Sequence, residues 1–271
     1  MIVYNKKAVW ITLTLLLMSS MPTKSVSLPT FISRFVLPRE HDSLTKECTL
    51  EPQSTVDITA ISGTVLIKSW NQPKALIEAT KTGTAQALSN TTIYTKQQGK
   101  LLSISTRVKE QNTPASIDYQ LLVPENTHIK IRSSGTTGVK IRHVAGSITI
   151  SLAAGPIDIQ DSSHAVLAKT NNGSIKLKQK AFDDQSSIFL ETAQGSIILS
   201  IGRQTHAQLT ARTQRGTITC NKHLVTLDSR TMPLNYKAWQ TFQRDIQGKL
   251  GQGGAPITLE TTKGTIFIDD Y

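Results

Sequence analysis

VLAKTNNGSIKL (residues 166–177), IFLETAQGSIIL (188–199), QLTARTQRGTITC (208–220) and ITLETTKGTIFI (257–268) are four versions of one unit. In each, a short run with apolar residues two apart leads through Thr-x-x-Gly into a second such run. A period of two sends alternate side chains to opposite faces of a strand, so the unit reads as strand, corner, strand. Thr170, Thr192, Thr213 and Thr261 stand three residues before Gly173, Gly195, Gly216 and Gly264. Glycine supplies the positive φ that a sharp corner requires, and β-branched threonine keeps the strand extended up to it.

Outside these four units the second strand recurs as GTVLI (63–67), GSITI (146–150) and GPIDI (155–159), with a shorter GVKI at 138–141. Gly155, Gly173, Gly195 and Gly216 follow one another at nearly even steps. Self-similarity at a period of roughly 20 residues marks stacked coils. The expected fold is therefore all-β, a single-stranded parallel β-helix or solenoid of about 20-residue coils over residues 54–271. If coils stack in chain order, Ile218 and Cys220 fall in the interior rows of Ile197 and Leu199. An antiparallel sandwich, the main rival, would not repeat this unit at nearly constant length.

Three stretches break the pattern. Residues 28–53, with Pro29, Pro38 and Pro52, read as a leader and N-terminal cap. The first third is irregular from Ile93 to Pro124. Residues 221–253 form an insertion, because the step from Gly216 to Gly264 is more than twice that between the preceding glycines.

Hydrophobic residues make up 38% of the chain and charged ones 18%, too apolar a balance for a disordered protein. Lys6 and Lys7 precede an apolar run from Ala8 to Met18, and Ser25-Val26-Ser27 offers a small-x-small cleavage site, so residues 1–27 read as a signal peptide. That run is shorter than the roughly 20 residues that cross a bilayer. The expectation is an exported protein, in the periplasm, on the outer surface or secreted, soluble and without a transmembrane span once processed. The formal charge of +11, less Lys6, Lys7 and Lys24, leaves +8, which favours anionic partners. Export would place Cys48 and Cys220 where a disulfide is allowed but not dictated. Cys220 occupies a position held by Ile or Leu in other copies, which reads as a small buried hydrophobe.

SGTVLIKSW (62–70), YQLLVPENTHIKI (119–131), the serial GSI and GTI strands and GGAPITLETTKGTIFI (253–268) together resemble the bacterial putative-adhesin family of unknown function. The resemblance covers roughly Val56 to Asp269. It implies an envelope or secreted β-solenoid and a role in adhesion, and it carries over no ligand and no catalytic residue.

The residues themselves suggest no catalytic, cofactor-binding or metal site. Six histidines show no HExxH spacing and two distant cysteines make no zinc knuckle. Asp57, Asp118, Asp158 and Asp161 are scattered. Asp183-Asp184 read as a solvated loop, and Asp269-Asp270 as protection of a final edge strand. Lys130 and Arg132, Lys140 and Arg142, and Lys176 and Lys178 alternate with aliphatic residues, so they face outward. Stacked in register, they would form a cationic ladder for an anionic glycan or lipid surface. Tyr236, Trp239 and Phe242 recur at a helical spacing as a candidate aromatic strip for sugar rings or another envelope protein. Nucleic acid is not the expected partner. The overall reading is a noncatalytic envelope or secreted protein that adheres through outward residues. Two alternatives stand beside it: a glycan-active β-helix enzyme, which would need three carboxylates converging in a groove beside a basic residue, and a self-assembling scaffold.

Overall fold

The computed structural model of the chain describes residues 40–109, 113–180, 186–222, 224–226 and 244–271, all within the unit Leu37–Tyr271. The signal-peptide reading at 1–27, the Asp183-Asp184 pair and the strip of Tyr236, Trp239 and Phe242 lie outside the described residues. Of the expected cap, residues 40–49 form a strand.

Strands dominate. In chain order β1 (Glu40–Thr49), β2 (Thr55–Ala60), β3 (Gly63–Trp70) and β4 (Lys74–Gly83) precede a short helix, α1 (Ala85–Asn90). There follow β5 (Thr91–Gln98), β6 (Leu101–Val108), β7 (Ser116–Pro124) and the long β8 (His128–Arg142). The repeats supply β9 (Ile148–Ala154), β10 (Ile157–Gln160), β11 (Val166–Asn172), β12 (Ile175–Gln179), β13 (Ile188–Gln194) and β14 (Ile197–Ile201). The chain continues through β15 (Ala207–Arg215), β16 (Ile218–Cys220), β17 (Leu224–Thr226) and β18 (Asp245–Leu250) to β19 (Pro256–Lys263) and β20 (Ile266–Asp270). Among the described residues no helix is long and apolar enough to cross a membrane.

Each Thr-x-x-Gly corner carries the chain from one parallel ladder to another. One ladder, sheet B, joins β2, β8, β9, β11, β13, β19 and β15. The other, sheet A, joins β3, β8, β10, β12, β14, β20 and β16. β8 belongs to both, with a register shift between Ser133 and Thr136 where it passes from one to the other. Inward residues of the two ladders, such as Ala168, Leu177, Leu190 and Leu199, are fully buried and form one aliphatic core. Burying each large aliphatic side chain contributes about 1.5–3 kcal/mol.

The sheets are mixed, which corrects the expectation of an entirely parallel arrangement. β1 pairs antiparallel with β4, β4 with β7, β5 with β6, and β18 with both β15 and β17. Alternating burial cannot reveal strand direction, since Ala75, Ile77 and Ala79 of β4 turn inward whichever way their neighbour runs. In this antiparallel first third Tyr119 spans the core, its phenol 2.8 Å from the Thr106 hydroxyl. Burial pushes the Tyr119 pKa above its ordinary value, and the bond to Thr106 partly offsets this.

The corners are tighter than conformational freedom alone requires. The hydroxyls of Thr192, Thr261 and Thr213 donate to the carbonyls of Gly173, Gly195 and Gly264, at 2.9, 3.1 and 3.0 Å. A Cβ on Gly195 would lie inside contact distance of the Gly173 carbonyl oxygen, and one on Gly264 would do the same to Gly195. Thr thus satisfies a carbonyl of the neighbouring coil, and Gly admits that coil's backbone.

These contacts also reveal the coil order, which departs from chain order. Ile188 of β13 faces Ile257 of β19, and Ile257 faces Leu209 of β15. Ile197 faces Ile266, which faces Ile218. The last coil, β19–β20, is therefore seated between β13–β14 and β15–β16. Ile218 and Cys220 do not stack directly on Ile197 and Leu199, because Ile266 and Ile268 intervene. Cys220 ends an outer strand and is only half-buried, with burial raising its thiol pKa. The Asp269-Asp270 strand is interior, so edge protection is not its role. Instead Lys222 Nζ bonds both the Gly202 carbonyl (2.8 Å) and Asp270 (2.9 Å), clasping the outer coil over the inserted one. That bond, with the Lys222 and Arg203 charges, holds the Asp270 carboxyl below its ordinary pKa.

Cys48 and Cys220 are free thiols. Sheet A runs from β1 through β4, β7 and β3 to the parallel ladder and ends at β16. The two cysteines are thus on opposite edge strands, nine strand spacings of ~4.8 Å apart, and a disulfide needs Cα atoms within about 7 Å.

Candidate functional site

The outward face of sheet A carries the most cationic arrangement that the sequence reading singled out. One row across the strands runs Leu66, Lys140, Asp158, Lys176, Ile198, Phe267. The next, two residues along, runs Lys68, Arg142, Gln160, Lys178, Ser200, Asp269. The corners aim these positions outward because their neighbours Val139, Ile141, Ile175 and Leu177 fill the core.

The structure brings together four of the six expected basic residues: Lys140, Arg142, Lys176 and Lys178. Lys130 and Arg132 lie in the part of β8 that belongs to sheet B, where Nη2 of Arg132 donates to both carboxylate oxygens of Asp57, at 2.9 and 3.0 Å. An unbroken cationic ladder does not form. Asp158 sits between Lys140 and Lys176 and accepts from Arg142 at 2.6 Å, also receiving that guanidinium on its carbonyl. Lys68 belongs to the same face and was missed, since it comes from the first coil, far upstream of Lys140 in the chain.

After this pairing, Lys68, Lys140, Lys176 and Lys178 make no ion pair among the described residues. Half-buried Leu66, Leu76 and Leu122 lie beside Lys68, and Phe267 at the far side of the face is 43% exposed. Beyond Gln160 the face ends at Asp161, which lies 3.3 Å from His143 Nδ1 and accepts the Tyr271 hydroxyl at 2.6 Å. That bond to a carboxylate raises the Tyr271 pKa. Among the described residues no three His, Cys, Asp or Glu side chains converge as metal ligands.

The fold has a counterpart among solved proteins. A crystal structure described as a putative cell adhesion protein from Clostridium sporogenes superposes with a TM-score of 0.51 at 10% identity, over 85% of this chain and all of the other. The two share a fold. A putative adhesin from Bacteroides fragilis covers 85% of this chain and 97% of its own at 10% identity, with a TM-score of 0.39. A putative lipid binding protein from Parabacteroides distasonis covers the same shares at 9% identity, with a TM-score of 0.27. No family model matches the sequence, and no curated protein does. At this identity the shared architecture says nothing about individual side chains, so any ligand is set by the faces of this molecule.

Proposed function

We propose that this chain is a noncatalytic, exported β-solenoid protein that adheres to an anionic surface through the outward face of sheet A. The observation that carries the reading is the set of four lysines on one sheet face that make no ion pair among the described residues. The adhesin names of the fold neighbours support adhesion in general terms. In the solenoid reading, stacked coils present an extended face, a form suited to a surface or a polymer. The ligand is a lipid headgroup layer or an acidic glycan, and the leucines beside Lys68, with Phe267, would sit against the apolar part of either.

The test is co-sedimentation with phosphatidylglycerol vesicles, phosphatidylcholine vesicles and alginate. Each surface lysine near an anionic membrane contributes about 1 kcal/mol. The double variant Lys140→Gln, Lys176→Gln is therefore expected to bind phosphatidylglycerol about 30-fold more weakly, a loss of ~2 kcal/mol. Raising salt from 0.1 to 1 M, which shortens the Debye length from about 10 to about 3 Å, is expected to release the native chain. Equal binding to phosphatidylcholine, or binding indifferent to salt, would remove this reading.

A further inference from the structure

A groove of about 1060 Å³ runs across the outward face of sheet B, and none of the sheet A lysines lines it. Its floor is built from the residues on either side of the corner threonines. One row crosses the coils as Lys169, Glu191, Glu260, Arg212 and then Asp245 of the antiparallel β18. A second row beside it carries Asn171, Ala193, Thr262 and Gln214, and Arg244 closes one end.

The charges in this groove cancel: Lys169, Arg212 and Arg244 stand against Glu191, Glu260 and Asp245. Three carboxylates beside basic residues are what the glycan-active alternative requires, but here they are spread along a row and two are already paired, Glu191 with Lys169 at 2.7 Å and Asp245 with Arg212 at 3.4 Å. Lys169 is further fixed over the Phe189 ring, 4.7 Å from its centroid. Glu260, in the middle of the floor between Glu191 and Arg212, makes no ion pair, and no hydrogen bond is made by the side chains of Asn171, Thr262 or Gln214 among the described residues. A carboxylate with four free lone-pair sites beside amides and a hydroxyl is a set of unspent acceptors and donors.

We propose that this groove binds a neutral, linear polysaccharide laid across the strands. Each pyranose residue of an extended chain, from one glycosidic oxygen to the next, advances by nearly one strand spacing of ~4.8 Å, so a chain running along the groove meets about one coil per sugar. β9, β11, β13, β19 and β15 each present a residue from the same corner position to it. Glu260 accepts from adjacent hydroxyls of one sugar, Gln214 bonds the next sugar on one side and Asn171 the second on the other, and exposed Ala193 on the strand between leaves room for the ring face. The absence of net charge favours a neutral chain over the acidic partners suited to sheet A. This goes beyond the anionic-surface reading and does not depend on it.

The test titrates the full chain with cellohexaose, mannohexaose and alginate by isothermal calorimetry, and follows hexasaccharide length by mass spectrometry. Ala193→Trp fills the groove at an exposed position, and Asn171→Ala with Gln214→Ala removes two contacts without touching a buried residue. The expected result is binding of a neutral hexasaccharide that survives 1 M salt, weakens at least tenfold in both variants, and persists in Lys140→Gln, Lys176→Gln. Phosphatidylglycerol binding is expected to be unchanged by Ala193→Trp. The proposal is overturned if neither hexasaccharide binds at millimolar concentration, if binding ignores Ala193→Trp, if alginate alone fills the groove, or if the hexasaccharide is cleaved, which would make the carboxylates catalytic.

Discussion

Gly195→Ala is expected to lower the thermal midpoint by roughly 10 °C, the equivalent of about 3–5 kcal/mol at 2–4 °C per kcal/mol. Gly195 has φ +149°, and a Cβ there would press into the carbonyl of Gly173, which is backbone held between two coils. Relief requires the coils to separate, and the Thr192 bond to that same carbonyl goes with them. Gly99→Ala separates this effect from ordinary left-handed strain. Gly99 has φ +54° but nothing within 4 Å of the built Cβ, so its substitution should cost only about 1 kcal/mol. Thermal denaturation of the two variants beside the native chain measures the difference. Equal costs would mean that the coils are not packed backbone against backbone at the corners.

The second large effect follows from the position of the last coil. Ile266 is fully buried between Ile197 and Ile218, whereas Ile218 faces one parallel neighbour and retains 8% exposure. Ile266→Ala leaves a cavity between two coils and should cost about 4 kcal/mol, near the upper part of the range for large-to-small core changes. Ile218→Ala, at the outer strand, can relax toward solvent and should cost about 2 kcal/mol. Urea denaturation with unchanged m-values would establish both. Chain order predicts the opposite ranking, since it would put Ile266 in the terminal coil.

The strand, corner, strand unit was legible because it depends on neighbours in sequence: a period of two, a threonine and a glycine. Coil order depends on which copy lies beside which, and the copies are nearly interchangeable. Ile188 and Leu190, Ile257 and Leu259, and Leu209 and Ala211 offer similar aliphatic pairs in the same register. No local pattern therefore distinguishes the next copy along the chain from the one that lies beyond the insertion. The threonine hydroxyl's partner was invisible for the same reason, being a carbonyl in the next coil. On sheet A, alternation correctly turned Lys140 and Lys176 outward, but Asp158 comes between them only through pairing. The groove did leave a signal. Lys169, Glu191, Arg212 and Glu260 each immediately precede a corner threonine in the four units, so reading the repeats as columns places them in one row. What that reading lacks is Asp245, which reaches the groove through the antiparallel return of β18.

The coil order is tested most directly by cysteine pairs on the outward face of sheet B, in a chain whose Cys48 and Cys220 are replaced by serine. Phe189 and Thr258 face each other on adjacent strands, one spacing of ~4.8 Å apart, whereas Phe189 and Thr210 are two spacings, ~9.6 Å, apart. Mild oxidation followed by peptide mass spectrometry is expected to find a disulfide in Phe189→Cys, Thr258→Cys and none in Phe189→Cys, Thr210→Cys, because the Cα atoms must approach within about 7 Å. A bridge in the second pair and none in the first would mean that the coils stack in chain order, and would contradict the inserted position of β19–β20.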